Sequence, residues 1–277
     1  MKRREFIQQS ALATVGAFAL SSCSPAQNKK IGLQLYSLRD VIGNDVKGIL
    51  EKVAKFGYKE LEAYSYNEGK IFGMNYKEFT EYAKSLGMKV TSGHYGLSAL
   101  ANGWERAVSD AKESGQEYMV IAYLTNDERK DYKGVCEALN KAGEVCNKYG
   151  IRLNYHNHDF EFEQYEGQVA YHLMLKELDP KLVGMEMDLY WMYVANQNPL
   201  DYFIKYPGRF EQWHVKDMDK IDSKKQVDVG TGRIDFPSIF AKAKLSGMKH
   251  FYVEQEAYPV SSIESVEKSI RNVEKWF

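Results

Sequence analysis

Four segments of this 277-residue chain carry pairs of polar side chains that are two residues apart. The pairs are His156 with His158, Glu186 with Asp188, His214 with Lys216, and Glu254 with Glu256. Residues two apart in a β-strand share a face, so each pair would point to the same side. Asp188 lies 32 residues after His156, His214 lies 26 further on, and Glu254 lies 40 beyond that. This spacing is close to one strand and one helix, so the pairs predict a site that four consecutive units build together.

A strand–helix rhythm from residue 31 to the C-terminus would position these pairs. Apolar runs predict strands over 31–36, 59–63, 89–94, 118–123, 152–158, 183–189, 210–215 and 250–256. Amphipathic patterns predict helices over 45–56, 76–86, 104–114, 132–149, 169–178, 199–206, 236–245 and 263–276. Eight alternating units without a linker indicate an α/β fold, a single (β/α)8 TIM barrel over residues 31–277.

In such a barrel the active site lies at the C-terminal ends of the strands, where all four pairs fall. Imidazole and carboxylate groups together suit one divalent metal ion, namely Mn²⁺, Mg²⁺, Co²⁺, Fe²⁺ or Zn²⁺. The cysteines offer no such site, because the chain has no pair with CxxC spacing. Cys136 and Cys146 lie ten residues apart in one predicted helix, about 15 Å, which is beyond disulfide reach.

Several strand ends resemble those of a known family, the xylose-isomerase-like TIM-barrel superfamily of sugar isomerases and epimerases. The stretches that carry the resemblance are Tyr155-His156-Asn157-His158, Met187-Asp188-Leu189-Tyr190-Trp191, His214-Val215-Lys216-Asp217, Tyr252-Val253-Glu254-Gln255 and the loop Gly230-Thr231-Gly232-Arg233-Ile234-Asp235-Phe236. The resemblance covers residues 31–277. It implies metal ligands of the types Glu, Asp, His and Glu at the ends of strands five to eight. Asp188, His214 and Glu254 match the last three, and His156 stands where many relatives have Glu.

His156 changes the expected catalytic chemistry. In ketose epimerases of this family the two ligand glutamates also exchange protons with the substrate, which a metal-bound His156 does not do. The base is therefore expected among His158, His94 and Glu256. A histidine with a pKa near neutrality would suit this role.

Side chains at other strand ends are predicted to hold the substrate: Gln34, Tyr36, Glu62, Tyr123, Trp191 and Lys216. Trp191 fits either sugar stacking or packing at the barrel top. Lys216 fits either contact with substrate oxygens or a salt bridge with Asp217 or Asp188.

The resemblance implies a metal-dependent sugar isomerase or epimerase that removes a proton next to a carbonyl through an enediolate. One alternative is a lyase or hydratase that acts on 3-keto-glycosides through the same enediolate, and the histidine-containing strand five resembles such relatives more. A second is a sugar-binding lipoprotein without catalysis. A nucleic-acid partner is not expected, because the net charge is −1 and the pI about 6.6. The partner is therefore expected to be a small sugar or glycoside, and the oligomeric state stays open.

The first thirty residues are predicted to be a targeting segment and not part of the folded domain. A basic start, Lys2-Arg3-Arg4, precedes a small apolar stretch over 11–22, and Leu20-Ser21-Ser22-Cys23 resembles a lipobox. Arg3-Arg4-Glu5-Phe6-Ile7 resembles a twin-arginine signal. We expect a signal peptide over 1–23, lipidation of Cys23 and a tether over 24–30. The protein would then be an exported lipoprotein at the periplasmic face, held to the membrane by lipid alone. An amphipathic helix of the domain is the alternative.

Overall fold

The computed structural model describes residues 30–277. The predicted signal peptide, Cys23 and all but the last residue of the predicted tether lie outside the described residues. Lys30–Trp276 form one compact unit.

Eight parallel strands close into a barrel, as the sequence predicts. They are β1 Gly32–Gln34, β2 Glu60–Ala63, β3 Lys89–Tyr95, β4 Tyr118–Ile121, β5 Arg152–His156, β6 Val183–Asp188, β7 Phe210–Val215 and β8 His250–Val253. Each strand pairs with its neighbours in chain order, and β1 pairs with both β2 and β8. Gly32 serves this closure, because a Cβ there would lie 2.6 Å from the carbonyl oxygen of Phe251 on β8.

Helices follow the strands and cover the outside of the barrel. They are α1 Val46–Phe56, α2 Tyr76–Ser85, α3 Trp104–Glu113, α4 Tyr132–Tyr149, α5 Ala170–Glu177, α6 Leu189–Val194, α7 Pro199–Lys205, α8 Phe236–Phe240, α9 Ala243–Ser246 and α10 Ser262–Val273. The single helix predicted over 236–245 is two short helices, α8 and α9, and α6 was not predicted. No helix in the described part of the chain is long and apolar enough to cross a bilayer.

Strands β1, β4, β5 and β8 end two or three residues earlier than the sequence predicts. At β1, β5 and β8 a side chain accepts a hydrogen bond from a backbone N–H just beyond the strand. Gln34 Oε1 accepts from Tyr36 N at 2.9 Å, Glu161 Oε2 from His158 N at 2.8 Å, and Ser37 Oγ from Gln255 N at 3.0 Å. The chain therefore turns out of the barrel there. Tyr36 lies in a short 3-10 helix, Leu35–Leu38, and His158 and Glu256 lie in loops.

Candidate metal centre and active site

The four predicted metal ligands meet at the C-terminal end of the barrel. His156 and Asp188 are the last residues of β5 and β6, His214 is one residue from the end of β7, and Glu254 follows β8. All four are buried. His214 Nδ1 lies 2.7 Å from Glu254 Oε2 and 3.9 Å from Asp188 Oδ2, while His156 Nε2 lies 3.8 Å from Asp188 Oδ2. We call these four residues the outer set.

The residues of the outer set fit a divalent cation. Burial, together with the charge of His214, holds the pKa of His156 well below its usual value, so its imidazole is neutral and offers a lone pair. Asp188 Oδ2 is buried and makes no well-directed hydrogen bond with any described residue. A cation beside such an atom offsets the cost of burying it, and Lys216 Nζ lies 3.1 Å away. One donor atom each from Asp188, His214 and Glu254 lie within 4.8 Å of one another, as ligands of one ion would.

Lys216 lies among the carboxylates of this site. Its Nζ is 3.1 Å from Asp188 Oδ2 and 2.9 Å from Glu254 Oε2, and it also contacts Glu256 Oε1. Burial alone would lower its pKa, but the three carboxylates raise that pKa well above the usual value. Of the two salt bridges considered for Lys216, the one with Asp188 forms. Asp217 instead accepts backbone hydrogen bonds from Gly230 and Gly232 at 2.9 and 2.8 Å.

The three candidate bases, His158, His94 and Glu256, line one cavity of about 380 Å³ above the outer set. The expected near-neutral histidine pKa is not found in either histidine. Burial and the charge of Lys216 lower the pKa of His158 to about 3. Burial also opposes the charge on His94, but Glu62 and Glu186 raise its pKa to about 9. Of these two candidate bases, His158 is therefore neutral and His94 protonated.

The residues predicted to hold substrate separate into two groups. Tyr36 and Tyr123 line the cavity, and so does Lys216. Trp191 does not line it but packs beside His158, with ring centroids 5.5 Å apart.

Gln34 and Glu62 depart from the prediction that they hold substrate. Both are fully buried and bond to each other, with Gln34 Nε2 donating to Glu62 Oε2 at 2.8 Å. Glu62 Oε2 also lies 2.5 Å from His214 Nε2. They lie below the cavity because β1 and β2 carry them inward, and Glu62 serves to orient the ring of His214.

Glu186 was not assigned a role from the sequence, yet it lies at the centre of the buried histidines. Its Oε2 is 3.0 Å from His94 Nε2, 3.2 Å from His156 Nδ1 and 3.3 Å from His214 Nε2. The available signal was its position two residues before Asp188, on the same face of β6.

The fold agrees with a comparison against known families. Residues 50–276 match the model of the xylose isomerase-like TIM barrel. The chain belongs to this family. A solved structure described as a sugar phosphate isomerase/epimerase from Parabacteroides distasonis ATCC 8503 is 31% identical, with a TM-score of 0.78 over 93% of this chain and 97% of that one.

More distant relatives carry other names. Inosose dehydratases from Bacillus licheniformis and Salmonella typhimurium are 30% identical over 95 residues and 23% over 164 residues, or 34% and 52% of this chain. These matches span 30% and 54% of the relatives' own lengths. A structure of IOLI protein with a zinc atom bound has a TM-score of 0.69 at 13% identity, over 89% of this chain and 97% of that one, which shows a shared fold.

Proposed function

We propose that the protein is a metal-dependent enzyme that removes a proton next to the carbonyl of a sugar, in the manner of an isomerase or epimerase. One observation carries this proposal: His156, Asp188, His214 and Glu254 converge beneath a cavity that a neutral histidine also lines. The solved relative that is 31% identical is named for the same class of reaction.

Each residue of the site has a role in this chemistry. The outer set would hold a divalent ion, which would supply Lewis acidity at the carbonyl of the sugar. His158 is neutral and lines the cavity, so its imidazole is placed to accept the proton. Glu161 holds the backbone of His158 in place through its 2.8 Å bond to the amide. Lys216 stays cationic and stabilises negative charge that develops on a substrate oxygen.

A lyase is the second candidate, because the same proton removal followed by loss of a β-leaving group eliminates water or an alcohol. Two observations favour it: His156 stands in place of the glutamate that an epimerase uses, and several partial matches are inosose dehydratases. A 3-keto-glycoside is the substrate class for this reaction. Both candidates share the first step, so one experiment separates them.

The test is to incubate the metal-loaded full chain with a panel of ketoses and 3-keto-glycosides in D₂O, followed by NMR. We expect deuterium to enter at the carbon next to the carbonyl. A new stereoisomer or aldose then identifies an isomerase or epimerase, and release of the aglycone or water identifies a lyase. Asp188→Asn should abolish exchange. His172→Gln, which changes a histidine on α5 hydrogen-bonded to Tyr202, should leave it unchanged. Sugar binding without exchange would indicate a binding protein and contradict the proposal.

A further inference from the structure

We infer that the end of the barrel opposite the cavity docks on a membrane surface that carries anionic lipid headgroups. This end is formed by the amino termini of the strands and by the last turns of the helices that lead into them. We call it the basal face. The contact would act beside the predicted lipid anchor, and it does not depend on the proposed enzymatic function.

Basic residues form a ring around the basal face. Every helix that directly precedes a strand of the barrel has a lysine in its last turn, as Lys55, Lys112 and Lys205 show. Seven of the eight strands begin at, or within two residues after, a lysine or arginine, such as Lys59 or Lys181. Because the net charge of the whole chain is only −1, acidic residues elsewhere balance this excess, and the fold gathers the positive charge at one end.

Helix dipoles and ion pairs account for only part of this ring. A cation in the last turn of a helix offsets the partial negative charge there, but the basic residues that begin the strands belong to no helix. Arg152 and Lys249 pair with Glu211, and Lys89 pairs with Glu117. Other basal lysines are exposed and form no ion pair with any carboxylate in residues 30–277, namely Lys55, Lys59, Lys112, Lys181, Lys205 and Lys244. Their charge is therefore available to an external anionic surface.

Two exposed apolar side chains lie among these lysines. Ile204 is in the last turn of α7 and 69% exposed, and Leu245 is on α9 and 38% exposed. The ends of the two helices are adjacent, since Gly208 N donates to Leu245 O at 2.9 Å. Apolar side chains flanked by lysines suit the headgroup boundary of a bilayer, where the apolar groups enter and the ammonium groups contact phosphate. An acidic polysaccharide would use the lysines but would leave Ile204 and Leu245 in water.

The chain enters the domain at the basal face. Lys30 lies just before β1, which begins at Gly32 on this face. The predicted tether over 24–30 spans at most about 25 Å when it is extended. A lipid on Cys23 would therefore hold the basal face close to the bilayer. The cavity, at the opposite end of the barrel, would stay open to its substrate.

Vesicle binding by the full chain tests the inference. Every protein carries Cys23→Ala, so that no lipid contributes and residues 1–29 add the same background throughout. Sedimentation compares binding to vesicles of phosphatidylcholine and phosphatidylglycerol with binding to phosphatidylcholine alone. We expect stronger binding to the anionic vesicles, and a high-salt wash should reverse it, unlike attachment through a lipid.

Removal of basal charge should weaken the binding to anionic vesicles. Lys205→Gln/Lys244→Gln removes two exposed charges beside the apolar pair and should lower the affinity about 30-fold. Lys220→Gln/Lys224→Gln is the matched control, since it removes the same charge from exposed lysines in the loop after β7, at the opposite end of the barrel. This control should keep the affinity within about twofold.

The apolar pair distinguishes a bilayer from a soluble polyanion. Ile204→Ser/Leu245→Ser should weaken binding to the anionic vesicles about tenfold, because two side chains no longer enter the bilayer. Ile221→Ser should not weaken it, since Ile221 is 95% exposed in the loop after β7.

Four results would overturn the inference. These are no preference for the anionic vesicles, an equal loss in the basal variant and its control, no effect of the serine variants at the basal face, and binding to heparin without binding to the vesicles. The last result would identify an acidic polysaccharide as the partner.

Discussion

At the scale of single residues, His156 at the end of β5 is expected to bind the metal ion. His158, in the loop after β5, is expected to act as the base. His156→Ala should lose affinity for the metal ion, because its Nε2 lies 3.8 Å from Asp188 Oδ2 within the outer set. His158→Ala should keep the metal and slow proton exchange by about 10²-fold or more, the usual contribution of a general base. Metal content and deuterium exchange of both variants measure this. The opposite pattern would mean that His158 binds the metal and His156 is the base. If both variants keep full metal content and full deuterium exchange, the base is His94 or Glu256.

Protonation of Glu161 is expected to change the stability of the protein measurably. Burial raises its pKa to about 7, although the hydrogen bond from Tyr155 opposes the shift. The folded protein therefore binds this proton more tightly than the unfolded chain does. The resulting stabilisation is lost as the pH rises through the folded pKa. Between pH 5 and pH 8, the wild type should lose roughly 2 kcal/mol of unfolding free energy relative to Glu161→Gln. Urea unfolding of both proteins checks this, and parallel pH profiles would refute it.

At the scale of elements, α4 shows how closely a helix must approach the barrel. Asp131 caps its start by accepting from Gly134 N at 2.9 Å, and Gly150 ends it at φ +67°. Within it, a Cβ at Gly143 would lie 2.7 Å from the backbone oxygen of Leu182, just before β6. Because β6 carries Glu186 and Asp188, this contact helps to set the depth of the site.

Gly143→Ala should therefore destabilise the protein by about 1–3 kcal/mol, despite the better helix propensity of alanine. Gly43→Ala is the control, since a Cβ there meets nothing within 4 Å, and should change stability by less than about 0.5 kcal/mol. Urea denaturation measures both. Equal stabilities would mean that α4 shifts outward without cost.

At the scale of the whole molecule, thiol reactivity reports on both the fold and the predicted lipid anchor. Cys136 and Cys146 are free and buried on α4, and burial raises the pKa of each to about 12. Neither should react with a thiol reagent in the native protein. In denaturant, wild type and Cys23→Ala should both expose two thiols if Cys23 is lipidated.

Fractionation provides the second measurement of the anchor. Wild type should partition with membranes, and Cys23→Ala should be soluble or unprocessed. A third reactive thiol in the denatured wild type, or membrane partition of mature Cys23→Ala, would contradict the lipoprotein prediction.

Much of the barrel and of the outer set can be predicted from local pattern alone. The alternation of apolar runs and amphipathic helices depends on neighbours in the chain, so all eight strands were predicted. His156, Asp188, His214 and Glu254 were predicted to meet because the carboxyl ends of barrel strands meet at one face. The ends of β1, β5 and β8 were missed, since Gln34, Glu161 and Ser37 take up backbone amides in ways that periodicity does not show.

The sequence by itself therefore determined the fold, the face that carries the site and the chemical types gathered there. Only the tertiary structure decided how deep each side chain lies in the barrel and which side chains contact one another. Gln34 and Glu62 have the right spacing to contact a sugar, but the closed barrel places them beneath His214. The sequence allowed two partners for Lys216, Asp217 and Asp188. The positions of β6 and of the end of β8 place it against Asp188, Glu254 and Glu256. Such contacts join residues 28 to 152 positions apart, and their energies depend on burial and distance, which no window of sequence contains.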